Sequence, residues 1–326
     1  TASLIALAVF LLIETGYIKW FHLLAASILQ GTVFALMMPA RQALVPQFVG
    51  KNLLSNAFAI NAAAMSATTL VAPTIAGVLY DVVGPGNVYL LISTMSLSAV
   101  ILTVCIRHSG EIEASKINRR TNLAGKTPAV FTDIKAGIRY VLGQPLIQIL
   151  MIMALASTLL VMPFRFLMPI FVVDIYHLGP ESMGLLVSVM GGGSLFGSIY
   201  IAAHGNRNRG KLLLIGGFLS GVSLLLISAV PIYYFAALMM LPLGLGDAGR
   251  RTISMALIME STDEEFRGRV MSIFMLNFGL MPLGVLPAGI ASDIFGGQVT
   301  IGALAVGMIL FIGCVWVLRP EVRGSQ

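Results

Sequence analysis

Ala76-Gly77-Val78-Leu79-Tyr80-Asp81-Val82-Val83-Gly84 returns 212 residues further on as Ala288-Gly289-Ile290-Ala291-Ser292-Asp293-Ile294-Phe295-Gly296. Each copy closes a long apolar run and is followed by a short turn and another apolar run. Alanine, glycine and aspartate stand at matching places: Ala76 and Ala288, Gly77 and Gly289, Asp81 and Asp293, Gly84 and Gly296. Any two Ala/Gly-rich stretches can match by chance, but equivalent placement in the pattern of apolar runs makes chance a poor explanation. The chain reads as two equivalent halves.

Composition says what the runs are. Of 326 residues, 57% are hydrophobic and 10% charged, with a mean hydropathy of +0.93. Soluble domains carry about 25% charged residues, and a globule with so few could not cover its surface in water. A spanning helix needs about 20 mostly apolar residues. Ten stretches fit or nearly fit: 1–14, 20–45, 54–80, 88–106, 146–173, 183–203, 212–229, 232–257, 270–292 and 299–318. They are too long and too evenly apolar for the ten-residue alternation of a transmembrane barrel. The expected class is an all-α membrane protein.

If Thr1 starts on the cytoplasmic side, eighteen of the 20 Lys and Arg fall on that side, Lys19 falls on the other, and Arg165 lies within a span. That asymmetry is the positive-inside pattern, and it puts both chain ends in the cytoplasm. The net charge of +6 then faces one leaflet, which suits an anionic inner membrane surface as partner, not nucleic acid. The one long polar loop divides the chain into 1–107, 108–144 and 145–326. Inside it, Phe131, Ile134, Ile138 and Val141 recur at helical spacing with Asp133, Lys135 and Arg139 on other faces. This predicts a basic amphipathic helix on the inner membrane surface. Six spans follow the linker, with the repeat in the fifth; four precede it, with the repeat in the third. The first half is therefore expected to lack two spans at its start, leaving ten of twelve. Repeated halves of this kind are a feature of secondary transporters.

Local motifs narrow the architecture. Pro39-Ala40-Arg41 with Leu44-Val45-Pro46, then Asn56-Ala57 and Pro73-x-x-Ala76-Gly77, resembles spans four and five of the major facilitator superfamily. The resemblance is to the bacterial exporter branch that includes the enterobactin exporter and macrolide efflux proteins. Phe266-Arg267-Gly268-Arg269-Val270-Met271-Ser272, with Pro282-Leu283-Gly284 and Ala288-Gly289, resembles span eleven of that branch. The likeness covers essentially the whole chain. It implies a monomer in the bacterial plasma (inner) membrane that needs no cofactor. It also implies proton-coupled efflux of a small amphipathic molecule, drug-like or siderophore-like, as one half rocks against the other around a central cavity. Two departures are visible. The family's signature loop between spans two and three would lie upstream of Thr1. Its second-half counterpart, His204-Gly205-Asn206-Arg207-Asn208-Arg209-Gly210-Lys211, keeps the basic residues and glycine but has no aspartate.

Charged residues inside spans are the candidate site. Arg165, in Met162-Pro163-Phe164-Arg165-Phe166-Leu167-Met168-Pro169, costs about 2.5–3.5 kcal/mol to insert and is expected to face the bundle interior or water. It either holds an anionic or phenolic group of the substrate, or snorkels, or is structurally paired. Asp247, the acid deepest in a span, either titrates and takes part in binding or pairs with Arg250 or Arg251 on its own helix face. Arg267 and Arg269 follow Glu260, Asp263, Glu264 and Glu265 at an inner helix end, where ion pairs suit a gate and a solvated charged turn is the alternative. Arg41, Arg250 and Arg251 are assigned to the same gating group. Gly191-Gly192-Gly193 with Gly197 reads as helix packing, because no Lys-Ser/Thr follows to make a phosphate loop. The four His and two Cys lack metal-ligand or disulfide spacing. A membrane-embedded acyl or lipid transferase would need a Ser/His or His/Asp cluster within the spans, which is missing, so no enzyme activity is expected. A lysophospholipid flippase is the alternative within the same fold.

Overall fold

In hydrocarbon a backbone has no water to bond with, so an apolar run satisfies itself as helix. The computed structural model describes residues 1–48, 54–105, 130–204, 208–263, 265–319 and 322; side chains are described at all of these except 35–36, 38–48, 54–67, 69, 103–105, 130–134 and 202–204. The chain separates into two compact units, Thr1–Ala124 and Gly125–Gln326. The first holds α1 (Ala2–Glu14), α2 (Trp20–Phe48) and α3 (Leu54–Cys105). The second holds α4 (Val130–Gly143), α5 (Pro145–Leu160), α6 (Pro163–Ile170), α7 (Pro180–His204), α8 (Arg209–Ala229), α9 (Tyr233–Glu260), α10 (Arg267–Gly279), α11 (Pro282–Phe295) and α12 (Gly297–Leu318).

The sequence repeat is also a backbone repeat. Gly84 breaks α3 into two helical segments at φ 79, ψ 165, and Gly296 separates α11 from α12 at φ 86, ψ 152. That region is open to glycine almost alone. The helix after each glycine is also crossed at the same level. Ser3 on α1 exchanges hydrogen bonds with Ser93 through both hydroxyls, each donating 2.9 Å to the other's carbonyl. In the second unit, Gly221 on α8 lies against Ala305 on α12, and Ala305 stands 212 residues after Ser93.

Among the described residues, six helical stretches are long and apolar enough to cross a bilayer: Leu70–Leu102, Pro145–Ile175, Pro180–Ile201, Arg209–Ala229, Arg267–Phe295 and Gly297–Leu318. α1 and the first part of α2 are shorter apolar helices. α9 is long enough, but Asp247, Arg250 and Arg251 lower its hydropathy. Large side chains point outward from the spans, with Ile290 62%, Leu310 67% and Val317 75% exposed. In water that surface would be a liability; against lipid tails it costs nothing.

The core of the second unit is built by α8, α9 and α12, where Leu213, Leu214, Leu224, Met240, Ala305 and Met308 are fully buried. α7 crosses α9 at near backbone contact. A Cβ at Gly244 would collide with the Met190 carbonyl, and one at Gly193 with the Leu241 carbonyl. Ser194 donates to the Gly244 carbonyl at 3.1 Å across the same crossing. The small-residue run in α7 is therefore a packing surface.

Pro163 and Pro169 interrupt the span that carries Arg165. α5 ends at Leu160, the Met162 N–H reaches back to the Ser157 carbonyl at 3.2 Å, and Pro163 opens α6. Pro169 has no N–H to offer the Arg165 carbonyl four residues earlier. Past it the helix widens to a π turn over Phe171–Ile175, closed by Tyr176 N–H donating to the Phe171 carbonyl at 2.9 Å. α4 packs on α10 through Gly137 and Val141, which are buried, while Ile138 remains 45% exposed.

Candidate functional site

Asp247, Arg250, Arg251 and Ser254 occupy positions i, i+3, i+4 and i+7 of α9, so they form one polar stripe along an apolar helix. Arg250 donates to Asp247 Oδ1 at 2.7 Å and Arg251 to Asp247 Oδ2 at 3.2 Å. Asp247 and Arg250 are 9% and 7% exposed, and the Arg251 side chain is 46% exposed. The carboxylate lies N-terminal to its arginines, the better order for a helical pair. Of the alternatives open for Asp247, the geometry adopts the paired one, and both oxygens are engaged.

A cleft opens beside this stripe. Ser157 and Thr158 on α5, Arg250 and Ser254 on α9, and Phe274 and Asn277 on α10 line it, leaving a cavity of about 40 Å³. Ser157 and Thr158 are satisfied by their own helix, donating to the Met153 and Ala154 carbonyls at 2.9 and 3.1 Å. Arg250 Nε and Ser254 Oγ are not: both are buried and have no hydrogen-bond partner among the described residues. A buried donor left open costs about 1–3 kcal/mol. The cavity exceeds the roughly 10–15 Å³ that one water needs, yet is far below the about 300–1,000 Å³ of a site enclosing a whole drug. It fits water or one polar head group.

Arg165 sits apart on α6. Its side chain is exposed, and Nη2 lies 3.9 Å from Met190 Sδ on α7. It is close enough to interact electrostatically with Asp247 and Arg251. One carboxylate thus answers three guanidinium groups, an excess of positive charge. Just past the span, Tyr176 stacks edge-on with Tyr233 at 6.0 Å between ring centroids. Burial pushes the Tyr176 hydroxyl up to about 12, so it stays protonated in any physiological medium.

The other basic residues lie at helix ends. Arg209, which opens α8, donates to both oxygens of Glu260, the last residue of α9, at 2.7 Å. Arg267 Nε donates to the Thr262 carbonyl at 3.3 Å, and the Arg269 guanidinium lies 5.3 Å from the Phe266 ring centroid. Arg250 and Arg251 are about ten residues, roughly 15 Å of helix, from that end; their partner is Asp247. Arg41 lies within α2, and its side chain falls outside the described residues, as does Glu264. Ser254 and Asn277 were not legible as site residues, although Ser254 continues the spacing of Asp247 and Arg250. The Arg209–Glu260 pair joins residues 51 apart and left no signal in the sequence.

Comparison with known proteins agrees with this architecture. The profile of the Major Facilitator Superfamily matches residues 1–282 and 150–325. Multidrug efflux pump Tap of Mycolicibacterium fortuitum is 25% identical over 291 residues, covering 88% of this chain and 69% of that protein. Macrolide efflux protein A of Streptococcus pyogenes is 22% identical over 270 residues, covering 82% of this chain and 64% of that one. The chain thus spans about two thirds of the length of these relatives. A POT family transporter solved in complex with 5-aminolevulinic acid has the same fold at a TM-score of 0.65 and 14% identity, covering 98% of this chain and 80% of that chain. The profile match spans nearly every residue and the helices follow the fold, so this chain belongs to the major facilitator superfamily and is a membrane transporter, not an enzyme.

Proposed function

We propose that this protein is a proton-coupled exporter of small amphipathic molecules in the bacterial plasma membrane, working by alternating access. In this reading the cleft between α5, α9 and α10 receives an anionic head group of the cargo. The observation that carries it is the pair of open groups, Arg250 Nε and Ser254 Oγ, in a cleft sized for a head group. An acceptor placed there would satisfy the guanidinium, and the excess of arginine over carboxylate favours a negative one. Arg165, exposed and within electrostatic reach, adds to that attraction. The names of the relatives, a multidrug efflux pump and a macrolide efflux protein, support the outward direction.

The test is transport by the full-length protein in everted membrane vesicles, using a fluorescent amphiphilic carboxylate and its methyl ester. The carboxylate is expected to be taken up in preference to the ester, and collapse of the proton gradient to stop the uptake. Ser254→Ala should raise KM roughly fivefold, the equivalent of one hydrogen bond of about 1 kcal/mol. Arg165→Ala should lower uptake at unchanged folded yield, with Arg165→Lys between the two because the charge survives but the planar fork does not. Equal handling of acid and ester would remove the anionic head group from this reading; uptake indifferent to the gradient would remove the coupling.

A further inference from the structure

α4 is two-faced, and only one face is used by the protein. Gly137, Tyr140 and Val141 turn towards the second unit: Gly137 lies against Arg269 Cβ and Ile273, and the Tyr140 ring stacks on Phe266 at 4.4 Å and 10°. The Tyr140 hydroxyl donates to Asp263 Oδ2 at 3.0 Å and accepts from the Asp263 N–H at 3.1 Å, which fixes the helix in place. The other face carries Lys135, Ile138, Arg139 and Leu142 at i, i+3, i+4 and i+7, all exposed. Ile138 is 45% and Leu142 66% open. Lys135 and Arg139 have no acceptor among the described residues, and between α4 and Phe266 runs an open groove of about 540 Å³ with both cations on its wall.

The position of this groove limits what can fill it. Arg139 lies six residues before Pro145, where a membrane span starts, and Phe266 immediately precedes Arg267, where another starts. The groove is therefore level with the membrane boundary. Two cations beside two large aliphatic side chains, at that level, ask for a partner with a negative head and an apolar body.

We infer that the groove between α4 and Phe266 binds the phosphate head group of an anionic glycerophospholipid, held by Lys135 and Arg139 while Ile138 and Leu142 enter the acyl region. Basic residues near an anionic surface contribute additively, so each is worth roughly fivefold in lipid preference and the two together roughly thirtyfold. The site is separate from the α9 stripe and does not depend on what is transported.

The experiment measures lipid retention. The full-length protein is purified from nanodiscs of phosphatidylcholine mixed with phosphatidylglycerol, and native mass spectrometry reads which lipid stays bound. The wild-type protein is expected to keep phosphatidylglycerol in preference to phosphatidylcholine. Lys135→Gln with Arg139→Gln should lose that preference roughly thirtyfold with an unchanged melting temperature. Lys211→Gln with Arg319→Gln, removing the same charge elsewhere, should retain it. A preference that survives the first pair, or falls equally with the second, would overturn the site. If inorganic phosphate displaces phosphatidylglycerol at comparable concentration, the groove is a phosphate site and the assignment to lipid fails.

Discussion

Asp247 and Arg250 are held 2.7 Å apart where neither has water to fall back on. Losing one member of such a pair costs more than losing both, because the survivor is left charged and buried; the penalty is about 3–5 kcal/mol. Asp247→Leu should therefore lower the thermal unfolding midpoint sharply, and adding Arg250→Met should restore most of it. Transport should not return in the double variant, since the guanidinium that opens into the cleft is gone. A double variant that transports normally would reduce the pair to packing. Ser254 behaves differently: its hydroxyl has no partner to lose, so Ser254→Ala should leave the melting temperature within experimental error while affecting cargo affinity.

α7 and α9 approach so closely because Gly193 and Gly244 put nothing between them. In a bilayer such contact has no hydrophobic drive and rests on dispersion and on bonds like the one from Ser194 to the Gly244 carbonyl. A single methyl is therefore costly: Gly244→Ala must push the Met190 backbone away, at about 1–3 kcal/mol for overpacking. Gly289→Ala on α11 meets nothing within 4 Å and should be tolerated. Monodisperse yield after detergent extraction compares the two, and equal yields would argue that the helices slide freely. The Arg209–Glu260 pair ties the start of α8 to the end of α9, but Glu260 is half exposed. Such a pair contributes only about 0.2–1 kcal/mol, so it locates two helix ends without holding them.

At the scale of the whole chain, the two glycines at φ 79 and φ 86 mark equivalent corners of two units. The distribution of Lys and Arg assigns a side to each corner. Cysteines introduced near Gly86, Gly179 and Gly297 should react with an impermeant reagent added outside intact cells, and cysteines at Asn118 and Asn208 should not. Strong external labelling at Asn118 would invert or break the topology.

The sequence by itself determined the apolar stretches, the helical class, the repeat and the family, because each depends on composition or spacing within a short window. It also placed Asp247, Arg250 and Arg251 on one face, since 3.6 residues per turn needs no tertiary information. Only the tertiary structure decided which of these groups is satisfied. Whether Arg250 Nε finds an acceptor depends on how α5 and α10 cross α9, and the Glu260 partner of Arg209 depends on the packing of α8 against α9. α4 shows the same division. Its helix was legible from Ile134, Ile138 and Val141, but periodicity alone grouped Ile138 with Val141. Contact with α10 buried Val141 beside Gly137 and Tyr140 and left Ile138 open, because the small residue at 137 is where the two helices come closest.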